Sequence, residues 1–239
     1  MPPAEGGGME ITMINDFKKA LQLSLYGFKA KVQMIFMIVF VIVGFVWEYF
    51  FQGMHWIGAF FIVLAPVYVS QILYGMGMSN MVASSPYKKK LQVLYPALLN
   101  FFFELIAMTI IVLLKIFEIR YCPENKGGLM YVLLSVCIFC IVLNFYSAIV
   151  YKYCALAIVL MLVSVMGLSY IFTSESFNNY EGGLLSTLID HMSLGVLVLI
   201  CYLTVVIGAV LQYALSTALY KKPLSEYAIG MAMRKALKG

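Results

Sequence analysis

Few residues in this chain have the types and spacing that chemistry requires. Glu104 stands inside the apolar run LLNFFFELIAM, with Asn100 four residues before it. At that spacing the two side chains share one helix face. A carboxylate deep in a bilayer must face protein or water, or carry a proton. Two readings of the pair stay open. It is the polar lining of a transport path with a proton-sensitive acid, or it is a helix–helix hydrogen bond in which Asn100 and a neighbouring helix hold the carboxyl. Cys137 and Cys140 form a CxxC, but Leu, Val, Ile and Phe flank them. That setting suits two small hydrophobes better than a redox or metal pair. His55 and His191 are isolated at the ends of apolar runs and give no zinc spacing. The patterns G-x-x-x-x-G-K-[ST], H-E-x-x-H and G-x-S-x-G do not occur, so neither a nucleotide loop nor a hydrolytic constellation is expected. The expectation is a chain that is not an enzyme and holds no cofactor or metal of its own.

The elements that must position these residues follow from composition. Of 239 residues, 63% are hydrophobic and 11% charged, with a mean hydropathy of +0.94. A soluble domain carries about 25% charged residues. The fold class is therefore all-α integral membrane, since the long apolar runs lack the alternation of barrel strands. Six spans are expected, at about Val32–Phe51, Ile57–Met76, Leu94–Phe117, Leu129–Ile149, Cys154–Phe172 and Met192–Leu219. No glycine or proline marks the junction at Tyr151-Lys-Tyr153. A merged fourth and fifth span of about 44 residues would nevertheless reach ~66 Å, over twice the hydrocarbon thickness. Gly44, Gly58, Gly167, Gly195 and Gly208 read as helix-packing positions, and Pro66 as a kink in the second span.

Orientation follows from the basic residues. Lys18, Lys19, Lys29 and Lys31 precede the first span, and Lys88, Lys89 and Lys90 separate the second and third. Lys152 lies between the fourth and fifth, and Lys221, Lys222, Arg234, Lys235 and Lys238 follow the sixth. Lys115, Arg120 and Lys126 fall on the opposite side, with six acids that include Glu48 and Glu118. The bias places both termini in the cytoplasm. Because the cations sit at span ends, the net charge of +5 does not describe a nucleic-acid surface. Residues 1–12 read as disordered, with Met9 and Met13 as alternative starts and no cleavable signal peptide. From 13 to 30, Ile14, Phe17, Leu21, Leu25 and Phe28 recur on one helical face, opposite Lys18, Lys19 and Gln22. This predicts an amphipathic helix in the inner interface. Residues 31–220 form the six-helix domain and 221–239 a basic cytoplasmic tail. The polar outer segment 173–183 precedes the hexamer 184–189, which is either a half-buried helix or a loop.

The stretch MVASSPYKKKLQ at 81–92 puts a basic hinge between two spans. Ser84 or Ser85 can cap a helix whose first turn holds Pro86, giving a short helix toward Gln92. Taken alone, the three lysines also fit a simple positive-inside anchor. With "INDFKKALQLSLYGF" before the first span, six spans, both ends inside, a long outer segment before the last span and the tail "LYKKPLSEYAIGMAMRKAL", the chain resembles the membrane subunit of ABC-2-type transporters. The resemblance implies that Ser84, Ser85, Pro86, Tyr87, Lys88, Lys89 and Lys90 form a coupling helix against a separate ATPase subunit. That partner, in two copies, would bind the ATP and magnesium. A second permease subunit, identical or related, would complete the transporter, with spans one, two and five at the permease–permease interface. The implied activity is export of a hydrophobic or amphipathic substrate, such as an antimicrobial peptide or lipid, across a bacterial plasma membrane. The alternatives are a proton-coupled secondary carrier using Glu104 and a non-transporting accessory or sensor protein.

Overall fold

The computed structural model describes residues 6–26, 30–51, 55–77, 86–173, 191–223 and 225. Among them there is no strand. Helix α1 spans Gly6–Tyr26, α2 Ala30–Phe50 and α3 Trp56–Gly77. A π-helical segment, Lys90–Leu94, leads into α4, Tyr95–Tyr121. A 3-10 turn at Pro123–Asn125 joins α4 to α5, Lys126–Ile149; α6 is Cys154–Thr173 and α7 Leu194–Leu219. Among the described residues six helices are long and apolar enough to cross a bilayer. They define a multi-pass membrane protein.

The bundle has a protein-covered centre and an uncovered rim. Helix α3 touches α2, α4 and α5, while α7 lies along α5 and α4. Helix α6 rests chiefly on α5. About 72% of the α3 span and 67% of the α5 span is buried, against 11% for α2 and for α6. Lipid tails are as apolar as leucine, so close helix packing must come from shape rather than from the hydrophobic effect. Gly44 shows this at the α2–α3 contact. A Cβ there would stand 2.8 Å from the Gly58 carbonyl oxygen and 2.6 Å from Ile62 Cγ1.

The turn at 150–153 is present, and polar ties hold it. Lys152 Nζ donates to the Lys222 and Tyr220 carbonyls at 2.7 and 3.4 Å, and the Ser225 N–H donates to the Tyr151 carbonyl at 3.1 Å. The α5–α6 turn is thereby fastened to the end of α7, which a continuous helix would not allow.

Two features differ from the sequence expectation. Helix α1 starts at Gly6, inside the segment read as disordered, because a nucleated helix adds a hydrogen bond per residue even through weak formers. Further along α1, Asp16, Ala20 and Ser24 are buried on the bundle with Phe17 packed beside them, while Leu21 and Leu25 point away from it. Finally, the lysine hinge is not a separate short helix ending near Gln92. Lys88 and Lys89 are already helical and run without a break through the π segment into α4. Pro96 explains the π turn. In an α-helix its ring would clash with the carbonyl four residues back. Here the Tyr95 N–H reaches the Lys90 carbonyl instead, which widens the turn just before the proline. Ser84, Ser85, the hexamer 184–189 and the tail beyond 225 lie outside the described residues.

Candidate functional site

Asn100 and Glu104 lie on a buried stripe of α4 that continues through Met108 and Ile111 to Lys115. Glu104 is about fourteen residues from Lys90, hence roughly 21 Å along the axis, near the middle of the span. Its side chain is 1% exposed. Asn144 of α5 donates from Nδ2 to Glu104 Oε2 at 2.7 Å and Oε1 at 2.9 Å, and to the Cys140 carbonyl at 3.0 Å. Asn100 Nδ2 donates to Asn144 Oδ1 at 3.1 Å and to Gln212 Oε1 of α7 at 3.0 Å. Gln212 Nε2 in turn donates to Tyr74 Oη of α3 at 3.3 Å. The Cys140 thiol lies 3.8 Å from Glu104 Oε2. Four helices therefore meet at one buried acid surrounded by amides.

Backbone shape makes room for it. Gly208 of α7 faces Asn144, and a Cβ there would sit 2.6 Å from Nδ2. The glycine lets α7 approach until the amide fills the gap between α4 and α5. The chemistry available is limited by what surrounds the carboxyl. Glu104 can hold or release one proton, with amide groups as its polar neighbours. Among the described residues the other buried acids are Asp16 and Glu48. They pair with Lys90 and Lys115, which lie roughly 21 and 16 Å from Glu104 along α4. Among the described residues no acid-to-acid relay connects them.

The lysines of the hinge are not equivalent. Lys90 Nζ binds Asp16 of α1 at 2.9 and 3.0 Å, and Tyr95 Oη donates to the same carboxylate at 3.2 Å. Lys90 is thus a clamp between α1 and α4. Pro86, Tyr87 and Lys89 are exposed at the end of the bundle. Lys88 is half-buried near Lys152, and burial together with the Lys88 charge lowers the Lys152 pKa below its ordinary value. The end of α7, the α5–α6 turn, the hinge and α1 all converge at this one basic end.

Sequence reasoning found Asn100 and Glu104 but not their partners. Asn144 and Gln212 are single polar residues in apolar runs, and only the facing of helices reveals that they meet. It also placed Lys115 and Glu48 among the outer-end charges without pairing them. Lys115 is fully buried and bridges Glu48 of α2 and Glu118 one turn on, at 3.1 Å for the latter. Opposite charges inside two neighbouring spans, at the same end, were the available signal. Of the CxxC, Cys137 has its sulfur 3.5 Å from Cys201 of α7, and Cys140 faces Glu104. Each buried thiol packs against a different neighbour. Among the described residues no group of three or more His, Cys, Asp or Glu converges as a metal site would require.

Comparisons with protein-family models, curated proteins and solved structures found no match.

Proposed function

We propose that this chain is the membrane permease subunit of an ABC-type exporter, driven by a separate ATPase that docks on the basic end. The observation that carries the reading is mechanical. The hinge at Pro86–Lys89 is continuous with α4, and α4 carries the buried cluster at Asn100 and Glu104. A push on the hinge by a nucleotide-driven partner would move the helix on which the four-helix polar cluster is built. The docking residues in this reading are Pro86, Tyr87, Lys88 and Lys89, with Lys90 reserved for Asp16. The sparse protein cover on α2 and α6 suits them to meet a second permease subunit. The apolar interior favours a hydrophobic or amphipathic cargo. A cytoplasmic docking end is supported by thirteen of the 16 basic residues gathering on that side.

The test is purification from native membranes in mild detergent, followed by nucleotide hydrolysis and reconstitution. A stoichiometric nucleotide-hydrolysing chain is expected to co-elute. The double variant Lys88→Glu/Lys89→Glu should keep the folded permease but lose that chain at least ten-fold. A permease that elutes with no hydrolytic partner, or whose double variant keeps full ATP-driven flux, overturns the reading. A second reading is favoured by the isolated Glu104: a proton-coupled carrier. It requires nucleotide-independent flux that disappears in Glu104→Gln.

A further inference from the structure

The end of the bundle opposite the lysines carries a cleft of about 750 Å³ between α2, α4 and the start of α5. The geometry points to a binding site there for a hydrophobic organic cation, an alkylammonium with one positive charge and a short apolar tail.

Two kinds of wall define the site. Tyr49 and Phe50 of α2 and Phe117 and Tyr121 of α4 present largely exposed rings to the cleft. Phe117 and Tyr121 stand 4.5 Å apart between centroids, with their planes tilted by 48°. The acidic wall is formed by the carboxylates of Glu48 and Glu118. Lys115 neutralises one of them from behind, fully buried, and does not line the cleft. One negative charge is left over. Glu48 is 4% exposed; one oxygen binds Lys115 and the other is buried against the first turn of α3, so the more accessible of the two acids is Glu118. Gly58 packs against the Glu48 side chain from the first turn of α3, so the carboxylate sits at the partly positive end of that helix.

Aromatic faces and the net negative charge of the Glu48–Lys115–Glu118 trio select the same partner. Ring quadrupoles attract a cation, most strongly when it is desolvated, and a carboxylate adds charge complementarity. An anion would meet Glu118, and a neutral tail would gain from the rings alone. A zwitterionic phosphocholine would bring its phosphate against Glu118, so a net cation is favoured over a lipid headgroup. Rings at a span end also serve as interfacial anchors, but anchoring does not require the two acids to face the same cleft. The site stands independently of the proposed ATPase, because its occupancy needs no nucleotide.

The experiment is calorimetric titration of the purified full chain in detergent, without nucleotide. The probes are hexyltrimethylammonium, 1-hexanol, hexanesulfonate and hexylphosphocholine. The ammonium is expected to bind at least ten-fold more tightly than the other three. Glu118→Gln should weaken it about ten-fold with hexanol affinity unchanged, and Tyr121→Leu several-fold. Equal binding of hexanol or of hexylphosphocholine by the native chain overturns the proposal, as does a folded Glu118→Gln that binds the ammonium within two-fold of the native chain. The ligand series on the native chain decides the matter even if a variant does not fold.

Discussion

One stripe of α4 buries two charged side chains and settles them in opposite ways. At its middle, Glu104 has no cation beside it and is solvated by Asn144, with Asn100 and Gln212 behind. Nearer its C-terminal end, Lys115 is matched by Glu48 and Glu118. Met108 and Ile111 separate the two, so each is satisfied locally. The difference tracks depth and neighbours. Lys115 is about six residues from the end of α4, roughly 9 Å, where Glu48 of α2 and Glu118 of α4 itself can reach it. At mid-span α5 and α7 offer Glu104 side-chain amides and the Cys140 thiol, with no charge among them. An ion pair resists loss of either partner, because the survivor is a naked buried charge. A carboxyl among amides tolerates neutralisation better, because one oxygen still accepts from Asn144 with the charge removed.

The sharpest way to break this comparison is Lys115→Met. It should cost about 3–5 kcal/mol, read as a large drop in folded yield and in the thermal midpoint in detergent. Adding Glu48→Gln should restore most of the loss. A Lys115→Met protein as stable as the native one would mean that the pair is not a buried ion pair. Next comes Gly208→Ala, which drives a methyl into Asn144 and should cost about 1–3 kcal/mol. Gly167 and Gly195 face open space, with nothing within 4 Å of where a methyl would sit. Gly167→Ala and Gly195→Ala should therefore stay within about 0.5 kcal/mol of the native protein. Glu104→Gln should be milder than Gly208→Ala, under about 1 kcal/mol, since the amide preserves an acceptor for Asn144. A larger loss would show that the charge itself organises the cluster. A modest effect belongs to the Lys90–Asp16 clamp. Lys90 is partly exposed, so Asp16→Asn should cost about 0.5–1 kcal/mol, detectable as earlier proteolysis of α1 rather than as unfolding of the bundle.

Much of the architecture was legible because a bilayer imposes a length and a polarity. The ends of the spans fell within a few residues of the helices, and the unmarked turn at 150–153 followed from thickness alone. The α4 boundary was less legible. Its helix begins with the lysines, since a π turn carries the chain through Pro96 and joins the hinge, expected as a separate short helix ending near Gln92, to the span. Asn100 and Glu104 stood out as polar letters in an oily run. Asn144, Gln212 and Lys115 did not, because their meaning lies in which residues they face across other helices. Periodicity identified an apolar face of α1 at Leu21 and Leu25, which the bundle leaves uncovered; that Asp16 and Ala20 are what the bundle accepts was not legible.

The residue string by itself determined that this is a multi-span helical protein with a basic end and an acidic-aromatic end. Those properties follow from transfer of side chains and backbone into lipid, which depends on local composition. Tertiary structure decided which spans are central. Helices α3 and α6 are both apolar around their whole circumference, yet protein covers one and not the other. It also decided that Glu104 would be held by amides and Lys115 by acids. Both choices depend on distances of a few ångströms between helices far apart in sequence, set by glycines at 44, 58 and 208 that let backbones approach.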